Sequence, residues 1–123
     1  MKSILVIDDN REIRENTAEL LELSGYNALT AVNGKSGFDK TLKQHPDVVI
    51  CDIMMPETNG FEFLKLIKND DSTKDIPIIF FSAGSAPFEV KKGIISGADF
   101  YLSKPFTNEE LMDAVETCLN RKG

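Results

Sequence analysis

No stretch of this sequence approaches the roughly 20 apolar residues that a membrane-spanning helix needs. The opening Met1-Lys2-Ser3 leads straight into Ile4-Leu5-Val6-Ile7. That run is too short for a signal-peptide core and has no small-residue cleavage site after it. A cytoplasmic protein with no membrane partner is the expectation. Cysteine is scarce: Cys51 and Cys118 stand far apart, each in an apolar pattern. Two buried free thiols fit this better than a disulfide or half a metal site. The single histidine, His45, precedes Pro46 without a partner histidine and reads as a surface loop residue. Basic residues are outnumbered, 14 Lys and Arg against 20 Asp and Glu, for a net charge of −6. A nucleic-acid surface needs clustered cations, so no nucleic-acid partner is expected for this domain. Internal repeats, low-complexity tracts and linkers are also missing, and the whole span 1–123 is expected to be one domain. The fragment Gly34-Lys35-Ser36 imitates the end of a nucleotide-binding loop. The first glycine of that motif is absent, because Leu29 stands five positions before Gly34.

What is present is a regular alternation. Apolar residues make up 41% of the chain, enough for a core. Five apolar runs read as strands at 4–7, 28–32, 48–53, 76–82 and 100–102. Several are continuously apolar rather than alternating, as strands buried on both faces of a parallel sheet are. Helical periodicity fills the gaps at 11–24, 35–44, 60–69, 88–96 and 108–120. Gly25 stops the first helix, and Thr107-Asn108-Glu109-Glu110 opens the last with a capping-box pattern. Strictly alternating strands and helices predict a single doubly wound (βα)5 domain of the α/β class. Ligands of such sheets bind beyond the carboxyl ends of the strands.

Polar residues gather at those ends. The first strand runs into Asp8-Asp9, the third into Asp52, the fourth into Ser82 and the fifth into Lys104-Pro105. Any one of them is an ordinary way to end a strand, and Asp8-Asp9 taken alone reads equally well as the cap of the next helix. Together they form a constellation. If the first and third strands are neighbours, Asp8, Asp9 and Asp52 bring three carboxylates together, and like charges that close repel unless a cation intervenes. All-oxygen ligands in a small open site suit Mg²⁺. Asp52 stands between Cys51 and Ile53 in an otherwise apolar run, where a carboxylate is costly without a function. A carboxylate is also a nucleophile able to form an acyl phosphate. Lys104 and the Ser82 hydroxyl are suited to hold the oxygens of a transferred phosphoryl group. The pair Met54-Met55 reads as backbone positioning and packing.

The pieces Ile4 to Asp9, Val48 to Pro56 with Gly60, Ile78 to Ala83, and Gly97-Ala98-Asp99 through Phe106 resemble the receiver domains of bacterial two-component response regulators. The resemblance covers essentially the whole chain. It implies a flavodoxin-like sheet of order 2-1-3-4-5 and a Mg²⁺-dependent transfer to Asp52 from a histidine kinase or phosphotransfer protein. It further implies that Asp9, Asp52 and the Met54 backbone carbonyl ligate Mg²⁺, with Asp8 acting mainly through water. Ser82 and Lys104 would bind the phosphoryl oxygens, Tyr101 would be the switch aromatic, and the bond before Pro105 would be cis. A downstream protein or output domain would read the face made by the helix at 88–96, the fifth strand and the last helix. Such a chain is no enzyme in the usual sense but a signalling phosphoacceptor that assists its own phosphorylation and dephosphorylation. It would be a monomer or a weak phosphorylation-dependent dimer. Two departures stand out: serine at Ser82 where threonine is commoner, and the loose stretch Gly84-Ser85-Ala86-Pro87.

Three rival functions fit less well. An aspartate-nucleophile phosphatase needs a second Asp two positions after the first, and Asn10 occupies that place after Asp8. A flavin module needs a phosphate loop rich in Ser, Thr and Gly after the first strand, where Asp8-Asp9 would repel phosphate. A pseudo-receiver, acting only as a phosphorylation-independent interaction module, would not retain Asp8, Asp9, Asp52, Ser82 and Lys104 together.

Overall fold

The apolar runs assemble into one five-stranded sheet. The computed structural model describes residues 1–53, 59–82, 97–103 and 106–122. Its strands are β1 (Ser3–Ile7), β2 (Asn27–Ala31), β3 (Val48–Asp52), β4 (Ile78–Ser82) and β5 (Phe100–Ser103). Between them run α1 (Arg11–Leu23), α2 (Gly34–Gln44) and α3 (Gly60–Lys68), and α4 (Asn108–Lys122) follows β5. All neighbours are parallel, in the order β2-β1-β3-β4-β5. That is the doubly wound, flavodoxin-like order the sequence led us to expect. The helix expected at 88–96 lies outside the described residues. No helix among the described residues is long and apolar enough to cross a membrane.

The continuous apolar runs have a simple cause. Successive strand residues face opposite sides of the sheet, so a strand covered on both sides needs apolar residues at every position. Leu5, Ile7, Val49, Cys51, Ile78 and Phe80 pack with Phe63, Leu64 and Ile67 of α3 on one side. Ile4, Val6, Val48, Ile50, Ile79 and Phe81 pack with Leu21 of α1 and Leu111, Ala114, Val115 and Cys118 of α4 on the other. Phe80 and Phe81 are adjacent and both fully buried, one in each layer. Burial of such a side chain contributes about 1.5–3 kcal/mol. Neither cysteine is in a disulfide and both are buried, as expected.

Local signals set the boundaries. Asn10, Asn33 and Asn59 cap α1, α2 and α3 by accepting the backbone N–H of Ile13, Ser36 and Glu62. Ser36 completes a capping box with Asn33, which accounts for the Gly34-Lys35-Ser36 fragment without any nucleotide. Thr107 and Glu110 form the predicted capping box at α4, each bond 3.0 Å long. Gly25 sits at φ +95°, a conformation glycine adopts without strain, just after the cap of α1. β4 starts at Ile78 rather than at residue 76: Pro77 has no N–H for the ladder, although its carbonyl accepts Val49 N–H at 3.0 Å. His45 is exposed, as expected, but it also terminates α2 in the left-handed region at φ 45°.

Candidate functional site

Because all strands run the same way, their carboxyl ends share one edge. Ile7 of β1 is level with Cys51 of β3, so the next residues on each strand, Asp8 and Asp52, come side by side. Asp8 is fully buried, Asp52 is 5% exposed, and Asp9 lies at the surface beside them. One carboxylate oxygen from each of the three lies within 4.8 Å of the others. Asp8 and Asp9 do not cap α1; Asn10 takes that role. The helix-cap alternative for the aspartate pair therefore falls away.

Several contacts hold the two strand ends. Asp8 N–H donates to Ala31 O at 3.2 Å, and the Asp8 Oδ1 accepts Asn10 N–H at 2.8 Å. Arg14, on the second turn of α1, donates from Nη1 to the Asp8 carbonyl at 2.9 Å. On the β3 side, α3 starts almost in contact with the strand. A Cβ on Gly60 would stand 2.8 Å from Ile53 Cα and 2.9 Å from the Asp52 carbonyl oxygen, too close for any side chain. Gly60 N–H donates to Ile53 O at 3.0 Å and Ile53 N–H to Phe81 O at 3.2 Å, so β3 is tethered just past Asp52. The neighbouring thiol adds no charge to the site: burial pushes the Cys51 pKa well up, and the Asp52 and Asp8 carboxylates push it further the same way.

The family described as response regulator receiver domain matches residues 4–116. The chain belongs to that family. It is a receiver of the kind found in two-component response regulators. Protein PilG of Pseudomonas aeruginosa is 39% identical over 113 residues, covering 92% of this chain and 84% of PilG. The phosphate regulon transcriptional regulatory protein PhoB of the same organism is 38% identical over 122 residues, covering 99% of this chain but 53% of PhoB. The receiver thus spans about half the length of that relative. Among solved structures, Vibrio cholerae chemotaxis protein CheY4 superimposes with a TM-score of 0.92 at 33% identity, over 97% of this chain and 99% of CheY4.

Of the residues singled out in the sequence, the receiver fold gathers Asp8, Asp9 and Asp52 at one point. Ser82 ends β4 level with Ser103 of β5 on the same edge, while its side chain lies outside what is described. Met54, Lys104 and Pro105 lie outside the described residues. Tyr101 is half-buried on β5, level with Phe80, and packs against the α3-side core. Sequence reasoning overlooked Arg14 and gave Asn10 no role. The signal for Asn10 was legible, since Asn directly before a helical period is a cap. Arg14 was not, because a charged residue on an amphipathic helix looks like any solvated one.

Proposed function

We propose that this receiver accepts a phosphoryl group on Asp52 in a Mg²⁺-dependent transfer from a phosphohistidine of a histidine kinase or phosphotransfer protein. The observation that carries the reading is the three-carboxylate cluster, in which the most buried members end adjacent strands. Three acidic oxygens, with no nitrogen or sulfur ligand in the cluster among the described residues, are what a hard divalent cation selects. Asp9, Asp52 and the Met54 carbonyl would ligate it, with Asp8 reaching it through water. When bound, Mg²⁺ supplies positive charge to the oxygens of the incoming phosphoryl group.

The chemistry asks little else of the protein. An Asp52 carboxylate oxygen attacks phosphorus in line with the donor nitrogen. The O–P bond forms, the P–N bond breaks, and the imidazole leaves with its electron pair and takes up a proton. Lys104 and Ser82 stabilise the phosphoryl oxygens. Water attacking the acyl phosphate reverses the modification, so the domain assists both steps without acting on any other substrate. Drawing the Ser82 hydroxyl towards the phosphoryl group would open space for Tyr101 and change the surface beside β5 and α4, which a downstream protein or output domain reads. We take the receiver to be the whole span 1–123, cytoplasmic, and monomeric or weakly dimeric once phosphorylated.

Intact-mass measurement after incubation with acetyl phosphate tests this reading. Wild type should gain one phosphoryl group with Mg²⁺ and none with chelator, and Asp52→Asn should gain none. Labelling of Asp52→Asn, or equal labelling of wild type in chelator, would sink it.

A further inference from the structure

We propose that Arg14 is a positioning residue for the Asp9 carboxylate, acting through the peptide that joins Asp8 to Asp9. The inference rests on the reading of the acidic cluster as a Mg²⁺ site. Asp9 is exposed, and its carboxylate makes no hydrogen bond or ion pair among the described residues. Its place in the cluster is therefore set by the backbone that carries it. Among the described residues, bonds from Asp8 N–H to Ala31 O, from Asn10 N–H to Asp8 Oδ1 and from Arg14 Nη1 to the Asp8 carbonyl hold that turn. The third falls on the carbonyl of the 8–9 peptide itself. Rotation of that peptide would swing Asp9 away from Asp8 and Asp52.

Arg14 is well anchored for the task. Its own N–H donates to Asn10 O at 3.0 Å, and the next turn of α1 is buried at Thr17, Ala18 and Leu21. The guanidinium forms no ion pair with any described carboxylate, although it stands beside a strongly acidic cluster. Its hydrogen bond goes to a neutral carbonyl. A residue present for charge balance would face the carboxylates; this one faces the backbone that aims one of them.

The two roles predict opposite signs. Removing a cation near three carboxylates strengthens Mg²⁺ binding if charge is all that Arg14 contributes. Removing a restraint on a metal ligand weakens it, by roughly tenfold for a supporting partner at the modest end of such effects. Calorimetric titration with Mg²⁺ of wild type, Arg14→Met, Arg14→Lys and Asp9→Ala decides between them. Arg14→Met keeps the apolar stem and should bind about tenfold more weakly. Arg14→Lys retains one donor and should recover part of the loss. In metal-free protein, hydrogen exchange at the Asn10 amide should speed up in Arg14→Met while the thermal midpoint stays close to wild type. Unchanged or tighter Mg²⁺ binding in Arg14→Met would overturn the proposal. If wild type takes up no Mg²⁺, the reading of the cluster fails separately, and unchanged exchange at Asn10 then overturns the positioning role by itself.

Discussion

At the edge where the strands begin, Asp47 and Asp99 each tie two strands together; at the edge where they end, Asp8, Asp9 and Asp52 converge on one point. The two ties are the same device used twice. Asp47, just before β3, donates its N–H to Ser3 O and accepts Ser3 N–H on Oδ2, both at 2.8 Å. Asp99, just before β5, donates to Ile78 O and accepts Ile78 N–H on Oδ2, both at 2.9 Å. Each carboxylate extends a parallel ladder by one bond beyond the strand and satisfies a donor that the pleat leaves over. The difference between the edges lies in what faces each carboxylate. Asp47 and Asp99 face a backbone donor of the neighbouring strand, whereas Asp8, Asp9 and Asp52 face one another, Asp8 while also holding the Asn10 N–H, and charges that close repel unless a cation intervenes.

The largest effects should fall on the acidic cluster. Asp9→Asn should lower Mg²⁺ affinity by at least about tenfold, and Asp8→Asn by a smaller factor, since Asp8 already has its Oδ1 engaged by Asn10. Calorimetric titration of both variants checks this, and equal losses would mean that direct and water-mediated roles are not divided between them. At the opposite edge, Asp47→Ala and Asp99→Ala should each cost about 1–3 kcal/mol in denaturant unfolding, because each strands a backbone donor that had bonded a carboxylate. The two sites lie on different strand pairs, so the double variant should lose close to the sum. Phosphoryl labelling of the folded variants should be unaffected. A labelling defect in either would show that the edges are coupled and would break the contrast.

A smaller effect has the opposite sign. Without metal, Asp9→Asn removes one of three neighbouring negative charges and gives up no protein partner among the described residues. The metal-free fold should gain up to about 1 kcal/mol, the scale of one unit-charge interaction near water. Adding Mg²⁺ should reverse the ranking, with wild type becoming the more stable. Denaturant melts with and without Mg²⁺ measure both. A loss of stability without metal would place Asp9 among the aspartates that serve the fold.

The contrast also marks what was legible in the sequence. The strand-ending aspartates stood out because each interrupts or directly follows an apolar run, and the sheet order brought them together. Asp47 and Asp99 gave no such signal: Asp before a strand is the ordinary composition of a loop, and their partners are backbone atoms of residues 44 and 21 positions away. Sequence patterns register which side chains are apolar, not which N–H is left over at a strand start. The same blindness hid Arg14, whose partner is a carbonyl. It did not hide Gly25 or the Thr107–Glu110 box, where the partners are local and the pattern of residue types is itself the signal.

The smallest effect tests the rule at an exposed site. Asp70, between α3 and β4, accepts the Ser72 hydroxyl at 2.6 Å and the Ser72 N–H at 2.9 Å on the same oxygen. These donors favour the ionised form, the hydroxyl most, and hold the Asp70 pKa below the ordinary carboxylate value. The sign follows from linkage. A pKa lowered by folding makes a contribution that is present above the unfolded pKa, about 3.9 for Asp, and lost as pH falls through the folded one. Ser72→Ala removes the hydroxyl and leaves the N–H, so the Asp70 pKa should rise part of the way back. Carbon-detected NMR titration of the side-chain carboxyl between pH 2 and 6 reads it directly. Stability at pH 7 should hardly change, because both bonds lie at the surface and compete with water. If the Asp70 titration stays where it was, the Ser72 hydroxyl is not what holds the charge. The Ser72 N–H, which remains in the variant, would then be the donor that favours the ionised form of Asp70.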